Sequence, residues 1–336
     1  MKLHNKENRE VLREKIARER EPRNTVSFYT YYQLKNPSFV RDYLFLEFDK
    51  LGVLGRIYVA SEGINAQASV PQRNWEAFQD FMEANDFLKG LRLNTAVEND
   101  DRSFFKLIVR LKDKIVADGL TDTTFDVTDK GTHLSAEAFN ELTSNPETIL
   151  VDMRNHYESE VGHFEGAWCP DVDTFREQLP LVVNELKDKK DKPVVMYCTG
   201  GIRCEKASAW LKHNGFNNVY QLECGIINYA RDVKERGLPN KFRGKNFVFD
   251  ERLGERISEE IIAQCHQCGE PADTHVNCAN KACNLLFIQC PACTEKMEGT
   301  CSNECHGIIH LPEEEQAERR KNRDAGIRIF SKGRFK

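Results

Sequence analysis

Apolar residues in the first third of the chain recur with two different periods, and this difference predicts alternating strands and helices. Over residues 25–118, apolar positions at every second residue are typical of strands, and spacings of three and four residues are typical of helices. The order strand, helix, strand, strand, helix, strand is predicted at residues 26–32, 38–51, 55–60, 63–70, 74–84 and 104–109. This order is the split βαβ pattern of a small α+β domain.

Residues 131–240 alternate between strand and helix. Buried strands are predicted at 148–151, 193–197 and 219–222, and helices at 173–186, 201–214 and 226–236. Pro180 lies within the first of these helices and is expected to kink or divide it, because proline lacks the amide that a helix interior uses. The alternation predicts an α/β domain whose parallel sheet is covered on both faces.

The remaining stretches differ in charge rather than in apolar period. Residues 1–24 are highly charged and are interpreted as an arm, and the polar residues 119–130 as a linker. Residues 241–312 begin with a basic segment and continue into a cysteine-rich module, and residues 313–336 form a basic tail. The chain is therefore expected to hold a ferredoxin-like α+β domain, a central α/β domain and a cysteine-rich module.

Composition restricts the classes of protein that fit. Of 336 residues, 40% are hydrophobic and 30% are charged, and no segment approaches the roughly 20 apolar residues of a membrane span. The charged N-terminus does not have the pattern of a secretory signal. A net charge of −5 argues against a uniformly basic nucleic-acid binder but allows local basic patches. We expect a cytoplasmic protein with no membrane contact; its oligomeric state is not indicated.

Twelve cysteines add chemistry, and eight of them lie between Cys265 and Cys305. They form four pairs: Cys265 with Cys268, Cys278 with Cys283, Cys290 with Cys293, and Cys301 with Cys305. Disulfide frameworks belong to small secreted chains, whereas closely spaced pairs in a large chain suit tetrahedral zinc sites of four thiolates. Two structural zinc ions are predicted. Alternating and sequential assignments of the pairs both remain open, and an iron–sulfur cluster is the alternative chemistry.

The strongest catalytic signal lies where the predicted strand at 193–197 ends. Cys198 stands there, followed by Thr199, Gly200, Gly201, Ile202 and Arg203. The loop amides, the start of the next helix and the Arg203 guanidinium all favour an anionic sulfur, so the pKa of Cys198 is expected to be lowered. At the carboxyl end of a parallel strand, where ligands bind, such a thiolate is a nucleophile or carries a persulfide.

Other residues of the central domain receive supporting roles. Asp152 and Arg154 are expected to pair with each other or with the backbone and so to hold the loop. Cys204 and Cys224 are expected to pack, although Cys224 is also a candidate second thiol. Glu158 stands two residues after a histidine, as in some non-haem iron sites, but a partner histidine at a defined spacing is missing.

Basic residues are concentrated in two places. In the basic segment, Lys241, Arg243 and Lys245 are interleaved with Phe242 and followed by Phe247. Within the tail, residues 319–336 hold eight Lys or Arg against one acid, and these basic residues include Arg319, Arg320, Lys321 and Arg323. Cations that bind phosphate and rings that stack on bases suit single-stranded RNA loops. These residues are therefore candidates for RNA binding, with a solvated charged surface as the alternative.

The Cys198 loop resembles the active-site loop of rhodanese-type sulfurtransferases. It matches their six-residue pattern Cys-x-x-Gly-x-Arg at every fixed position. Segments 152–154, 162–167 and 222–225 fit the wider rhodanese pattern, except that Cys224 stands where a glycine is usual. Cysteine phosphatases use a loop one residue longer, so the resemblance implies sulfur rather than phosphate chemistry.

The chain from residue 26 to the tail is similar to the bacterial TrhO (YceA) family. The similarity rests on the Cys198 loop, on Ala-Ser-Glu-Gly-Ile-Asn-Ala at 60–66, on residues 244–252 and on Cys-His-Gln-Cys at 265–268. It implies a rhodanese domain flanked by a ferredoxin/acylphosphatase-like domain and a zinc module. It also implies an oxygen-dependent tRNA hydroxylase that converts uridine 34, in the anticodon loop, to 5-hydroxyuridine, with Cys198 as the reactive cysteine.

The residues themselves leave the reaction incompletely specified. No Gly-x-Gly-x-x-Gly fingerprint is present, so no flavin or nicotinamide cofactor is expected, and nothing indicates the electron source. We hypothesise that Cys198 adds to C6 of uracil and raises the electron density at C5, where oxygen adds. The competing functions are a sulfurtransferase with a persulfide on Cys198 and an RNA-binding adaptor with a vestigial rhodanese domain.

Overall fold

The computed structural model describes residues 11, 12, 14, 16, 18, 21–98, 103–122 and 124–321, so most of the predicted arm and Arg323 lie outside it. The N-terminal domain consists of β1 (Arg23–Tyr31), α1 (Pro37–Lys50), β2 (Leu54–Ala60), β3 (Gly63–Pro71), α2 (Trp75–Ala84), β4 (Asn94–Thr95) and β5 (Leu107–Leu111). Helix α1 begins where the Asn36 side chain accepts the Phe39 amide at 3.1 Å, with Pro37 in the first turn.

The edges of this sheet differ from the prediction. The strand order is β4-β1-β3-β2-β5, and the apolar strand expected to close the split βαβ pattern is β5, which lies parallel to β2 at the far edge. The position beside β1 belongs instead to the two-residue strand β4, which pairs antiparallel with it. A strand this short has no periodic signal, which is why the sequence did not predict β4.

The two faces of the N-terminal sheet have opposite chemistry, because side chains alternate along each strand. Phe28 and Ile57 point to the face that packs against α1 and α2 and are almost completely buried. The opposite face carries a cross-strand row in which Tyr29 and Tyr58 both pair with Asn65. The helices of the domain leave this polar face free for the central domain.

The central domain is the predicted parallel-sheet α/β fold. Its strands are β6 (Thr132–Leu134), β7 (Ile149–Asp152), β8 (Gly162–Phe164), β9 (Val194–Tyr197) and β10 (Val219–Leu222). Its helices are α3 (Ala136–Leu142), α4 (His156–Ser159), α5 (Phe175–Glu185), α6 (Ile202–His213) and α7 (Gly225–Arg236). Strands in the order β6-β10-β9-β7 form the parallel sheet.

Helices cover both faces of this sheet, as predicted. Leu179 of α5 and Leu211 of α6 pack on one face, and Phe139 of α3 and Tyr229 of α7 pack on the other. Helix α5 runs through Pro180 without division, because the fully buried residues around it, such as Leu179, anchor the helix to the sheet.

The basic segment is built into the central domain. The C-terminal elements are β11 (Phe242–Asn246), β12 (Glu255–Arg256), β13 (His275–Asn277), β14 (Leu286–Ile288), α8 (Pro291–Met297), α9 (Asn303–Ile309) and α10 (Glu313–Lys321). Strand β11 pairs with β8 on one side and β12 on the other.

None of the helices in the described ranges has the length and apolar character needed to cross a bilayer.

A buried ion-pair group joins the N-terminal and central domains. Lys206 of α6 is 1% exposed, and its ammonium lies 2.9 Å from both carboxylate oxygens of Glu62 and 2.5 Å from Asp118. Beside it, the Tyr29 hydroxyl donates to Glu205 at 3.0 Å. These contacts attach the start of α6, and with it the Cys198 loop, to the polar face of the N-terminal sheet.

Replacement of Lys206 is expected to destabilise the protein strongly. Lys206→Met leaves Glu62 without its cation and Asp118 with Lys114 as its remaining cation, and removing one partner of a buried ion pair costs about 3–5 kcal/mol. The matched control is Lys212→Met on the same helix, whose partner Asp129 is exposed and whose loss costs less than about 1 kcal/mol. Urea unfolding followed by tryptophan fluorescence measures both changes, and equal losses in the two variants would contradict the interpretation.

Candidate active site

Cys198 follows β9 directly, and its side chain is 1% exposed. The backbone turns at Gly201 with φ of 96° and enters α6, and the Gly201 amide donates to the Cys198 sulfur at 3.2 Å. A β-carbon on Gly201 would lie 2.8 Å from the Tyr29 hydroxyl. Glycine is therefore required there both by the left-handed φ and by the lack of space.

The sulfur of Cys198 is stabilised as an anion. Burial raises the pKa of this thiol, but a hydrogen bond from the Cys204 thiol, the charge of Arg203 and the amides of both residues outweigh burial and lower the pKa to about 6. Cys198 is therefore a thiolate at neutral pH, and the direction predicted from the loop is confirmed.

Arg203 is arranged differently from the expectation. Its guanidinium makes a two-pronged ion pair with Glu158, at 2.6 and 2.8 Å, and Glu158 is completely buried. The charge of Arg203 still lowers the pKa of Cys198, but its strongest hydrogen bonds go to the carboxylate. Glu158 was noted in the sequence only as an alternative iron ligand, because 45 residues separate it from Arg203.

Asp152 and Arg154 pair as predicted. Two guanidinium nitrogens of Arg154 donate to the Asp152 carboxylate at 2.9 and 2.6 Å, and both side chains are fully buried. Arg154 also donates to the carbonyl of Gly162 at 2.6 Å, and Gln178 donates to the carbonyl of Asp152 at 2.6 Å. These bonds hold the connection between β7 and α4, the helix that carries Glu158.

The other cysteines outside the C-terminal module stay protonated at neutral pH. Burial raises the pKa of Cys169 to about 12 and raises that of Cys224 as well. Burial and the hydrogen bond to Cys198 raise the pKa of Cys204 well above its ordinary value. Cys204 therefore acts as a hydrogen-bond donor to the anionic sulfur rather than as packing alone.

A cavity of about 430 Å³ opens next to Cys198. Cys198 and Thr199 of the loop form one wall, and the polar face of the N-terminal sheet forms another. The segment containing Phe249 and Glu255 forms a third. A volume of this size suits one small organic group such as a nucleotide.

The residues contributed by the N-terminal sheet escaped sequence reasoning. They are Ser27, Tyr29, Arg56, Tyr58, Asn65 and Gln67. Their alternation with apolar residues was the available signal, since it marks a polar face that no helix of the domain covers. The sequence did not reveal that this face meets the Cys198 loop.

The basic segment does not present stacking rings to RNA. Phe242 and Phe247 are 1% and 2% exposed and pack in two apolar clusters, so the predicted stacking role is wrong. The Lys241 ammonium donates to the carbonyl of Asn140 in α3 and to the hydroxyl of Ser144 just beyond that helix. Arg243 pairs with the exposed Glu260, and Lys245 pairs with Asp273. Arg319, Arg320 and Lys321 end helix α10, where Arg320 contacts Glu313, and Arg323 lies beyond the described residues.

The eight clustered cysteines converge in two groups of four. One group is Cys265, Cys268, Cys290 and Cys293, and the other is Cys278, Cys283, Cys301 and Cys305. The alternating assignment is therefore confirmed over the sequential one. Sulfur–sulfur distances of 3.6 Å in each group are close to the roughly 3.8 Å edge of a tetrahedron with 2.3 Å metal–sulfur bonds. Each group could hold a structural metal ion.

Three family models match the chain. Residues 23–115 match the UPF0176 acylphosphatase like domain, residues 135–232 the Rhodanese-like domain and residues 243–306 the model described as Rhodanase C-terminal. A solved rhodanese-like domain from Anabaena is 20% identical, and the match covers 33% of this chain and 78% of that domain with a TM-score of 0.27.

Together, the thiolate loop at the end of a parallel sheet and the domain match define a rhodanese-domain protein. A protein named tRNA uridine(34) hydroxylase from Enterobacter sp. strain 638 is 54% identical over 99% of this chain and 95% of its own length. One of the same name from Yersinia enterocolitica is 55% identical with the same coverage. The chain belongs to the tRNA uridine(34) hydroxylase family.

The lowered pKa of Cys198 predicts how its reactivity changes with pH. Alkylation of Cys198 by iodoacetamide, quantified by peptide mass spectrometry, should rise with a midpoint near pH 6. Cys204→Ala removes a donor to the anion and should move the midpoint up by about one to two pH units, because hydrogen bonds to charged groups contribute about 1.5–3 kcal/mol. Cys169→Ala is the control that leaves it unchanged, and a wild-type midpoint above pH 8 would contradict the assignment.

Proposed function

We propose that this protein hydroxylates uridine 34 of tRNA to 5-hydroxyuridine and that Cys198 is the nucleophile. The observation that carries the proposal is an anionic cysteine on the wall of a nucleotide-sized cavity. The similarity to relatives that are named for this activity extends over nearly the full length of both chains, which supports the proposal. A base can reach a buried sulfur only after it leaves its stack, as in other enzymes that act on a nucleobase.

In the proposed mechanism the thiolate of Cys198 adds to C6 of uracil, and the electron pair of the C5–C6 bond moves towards C5 and the O4 carbonyl. Molecular oxygen, the proposed co-substrate, then adds at C5. One oxygen atom stays as the hydroxyl, and the other leaves as water with two electrons from a thiol reductant and two protons. Loss of the C5 proton and of the sulfur restores the double bond and the free thiolate.

The ion pair beside the sulfur favours this reaction over the runner-up, a persulfide sulfurtransferase. Thiosulfate is a dianion, and an uncompensated cation in its cradle would favour its binding. Arg203, the cation of the loop, is already balanced by the buried Glu158. A neutral uracil ring needs no such cation. We propose that Arg203 positions the loop and stabilises the anionic sulfur, with Asp152 and Arg154 supporting it through Glu158.

The proposed partner is the anticodon loop of tRNA, and the proposed compartment is the cytoplasm. Thr199, Gly200, Gly201 and Ile202 shape the loop around the sulfur. Candidate phosphate contacts remain Lys241, Arg243, Lys245, Arg319, Arg320, Lys321 and Arg323. Because several of these cations already have protein partners, we expect each to contribute through charge rather than through a dedicated pocket. The adaptor alternative is disfavoured by the lowered pKa of Cys198.

We also propose domain boundaries at 25–118, 131–240 and 241–312, with an arm at 1–24 and a tail at 313–336. The family matches at 23–115, 135–232 and 243–306 support the first three.

Replacement of Cys198 should abolish the modification. We expect tRNA from cells that express only Cys198→Ala to contain background levels of 5-hydroxyuridine, since the nucleophile is lost; nucleoside mass spectrometry measures this. Cys169→Ser, which changes a protonated thiol outside the cavity, is the matched control and should retain wild-type levels. Normal modification by Cys198→Ala would refute the nucleophile role. Thiosulfate turnover by wild type without 5-hydroxyuridine would support the sulfurtransferase.

We further propose that the two cysteine groups bind zinc, one ion each, with a structural role. Four thiolates close a tetrahedral site and leave no open position for chemistry. The ligands of each group come from two cysteine pairs that are separated in sequence. One bound ion would therefore link residues 265–268 to residues 290–293, and the other would link residues 278–283 to residues 301–305.

Metal content should follow the two groups independently. Elemental analysis of the purified protein is expected to give two zinc ions per chain, and Cys268→Ser and Cys283→Ser should each lower this to about one. The double variant should bind none, and Cys169→Ser should keep two. Loss of both ions from either single variant, with the fold retained, would argue against independent sites.

A further inference from the structure

The polar face of the N-terminal sheet approaches the Cys198 loop through two residues of β1. The Tyr29 hydroxyl lies 2.8 Å from the position that a β-carbon on Gly201 would occupy. The Ser27 hydroxyl lies 3.7 Å from the position that a β-carbon on Gly200 would occupy. Asn65 is the register partner of Tyr29 on β3, so their β-carbons are about 5 Å apart. Asn65 therefore lines the same cavity as Cys198.

The amide of Asn65 is held in one orientation. Its nitrogen Nδ2 donates to the carbonyl of Ile115 at 3.2 Å. A carbonyl only accepts hydrogen bonds, so the oxygen of the Asn65 amide cannot take that place. Ile115 is itself held, because its amide donates to Glu62 at 2.7 Å, and Glu62 is paired with Lys206.

This orientation leaves one edge of the amide open. Within the described part of the chain, the Asn65 oxygen Oδ1 accepts no hydrogen bond. Nδ2 carries two hydrogens in the plane of the amide, one of them beside Oδ1, and the Ile115 carbonyl engages only one of the two. The free edge thus offers one acceptor and one donor side by side, in an order that the Ile115 contact fixes.

We propose that Asn65 is a specificity-determining residue that recognises the Watson–Crick edge of uracil. This inference rests on the proposed function. Oδ1 accepts the N3–H of uracil, and Nδ2 donates to O4. Cytosine presents a lone pair at N3 and an amino group at C4, so both contacts become repulsive while Ile115 prevents the amide from rotating to suit cytosine. The N-terminal sheet thereby selects the base, and the central domain supplies the sulfur.

Binding of anticodon stem-loops tests the proposal without chemistry. Fluorescence anisotropy under anaerobic conditions would compare three RNAs that carry uridine, cytidine or 3-methyluridine at position 34. The methyl group removes the N3–H and leaves O2 and O4 in place. Wild type should bind the uridine loop at least about tenfold more tightly than the other two, the size expected for one two-pronged amide–base contact. Equal binding of all three RNAs would overturn the proposal.

Variants of the full chain separate recognition from folding. Asn65→Ala should bind the three loops within about threefold of one another. Asn74→Ala is the matched control: Asn74 likewise donates from Nδ2 to a backbone carbonyl of this domain, that of Leu51 at 2.9 Å, but lies away from the cavity. It should keep the wild-type preference. Retained discrimination by folded Asn65→Ala would overturn the role of Asn65.

The two proposals fail differently. If the hydroxylase function is wrong, wild type produces no 5-hydroxyuridine from the uridine loop in the presence of oxygen and a thiol reductant. If only the role of Asn65 is wrong, wild type hydroxylates uridine and Asn65→Ala discriminates against cytidine as wild type does.

Discussion

Burying a negative charge on the Cys198 sulfur is the constraint on which the rest of the structure depends. A buried anion is costly unless donors surround it, and no single cation meets this need because Arg203 is balanced by Glu158. The stabilisation is instead shared among loop amides, the Cys204 thiol and the charge of Arg203. Because the stabilisation is shared in this way, the groups around the sulfur carry almost no net charge. Such surroundings suit attack by the thiolate on an uncharged ring.

The loop also depends on a domain that contributes no reactive group. A two-layer α/β domain whose helices lie on one face of the sheet leaves the other face to be covered. Here that face is polar and closes the cavity beside Cys198. A surface that would be exposed to water in an isolated domain thus becomes part of the site. The Lys206 ion pairs fix this arrangement, because burying the cation is tolerable only while both carboxylates meet it.

The C-terminal elements serve the same cavity from a third side. Strand β11 extends the central domain through β8, and the segment that follows it supplies Phe249 and Glu255 to the cavity wall. Phe242 and Phe247, which resembled a stacking surface in the sequence, are the apolar anchors of this connection. The alternation of basic and aromatic residues in this segment thus comes from a strand with one buried face. RNA-binding motifs show the same alternation, so the sequence pattern does not distinguish the two.

Local information was sufficient for the helices and strands with clear periods, for the Cys198 loop and for the pairing of Asp152 with Arg154, because each depends on residues close together in the chain. The sequence left the assignment of the cysteine pairs open and did not predict the two-residue strand β4 of the N-terminal sheet. It did not indicate that Glu158 faces Arg203, that Lys206 joins two domains, or that Asn65 shares a cavity with Cys198. Each of these brings together groups tens of residues apart, and long-range packing, which has no period in the chain, selects such partners.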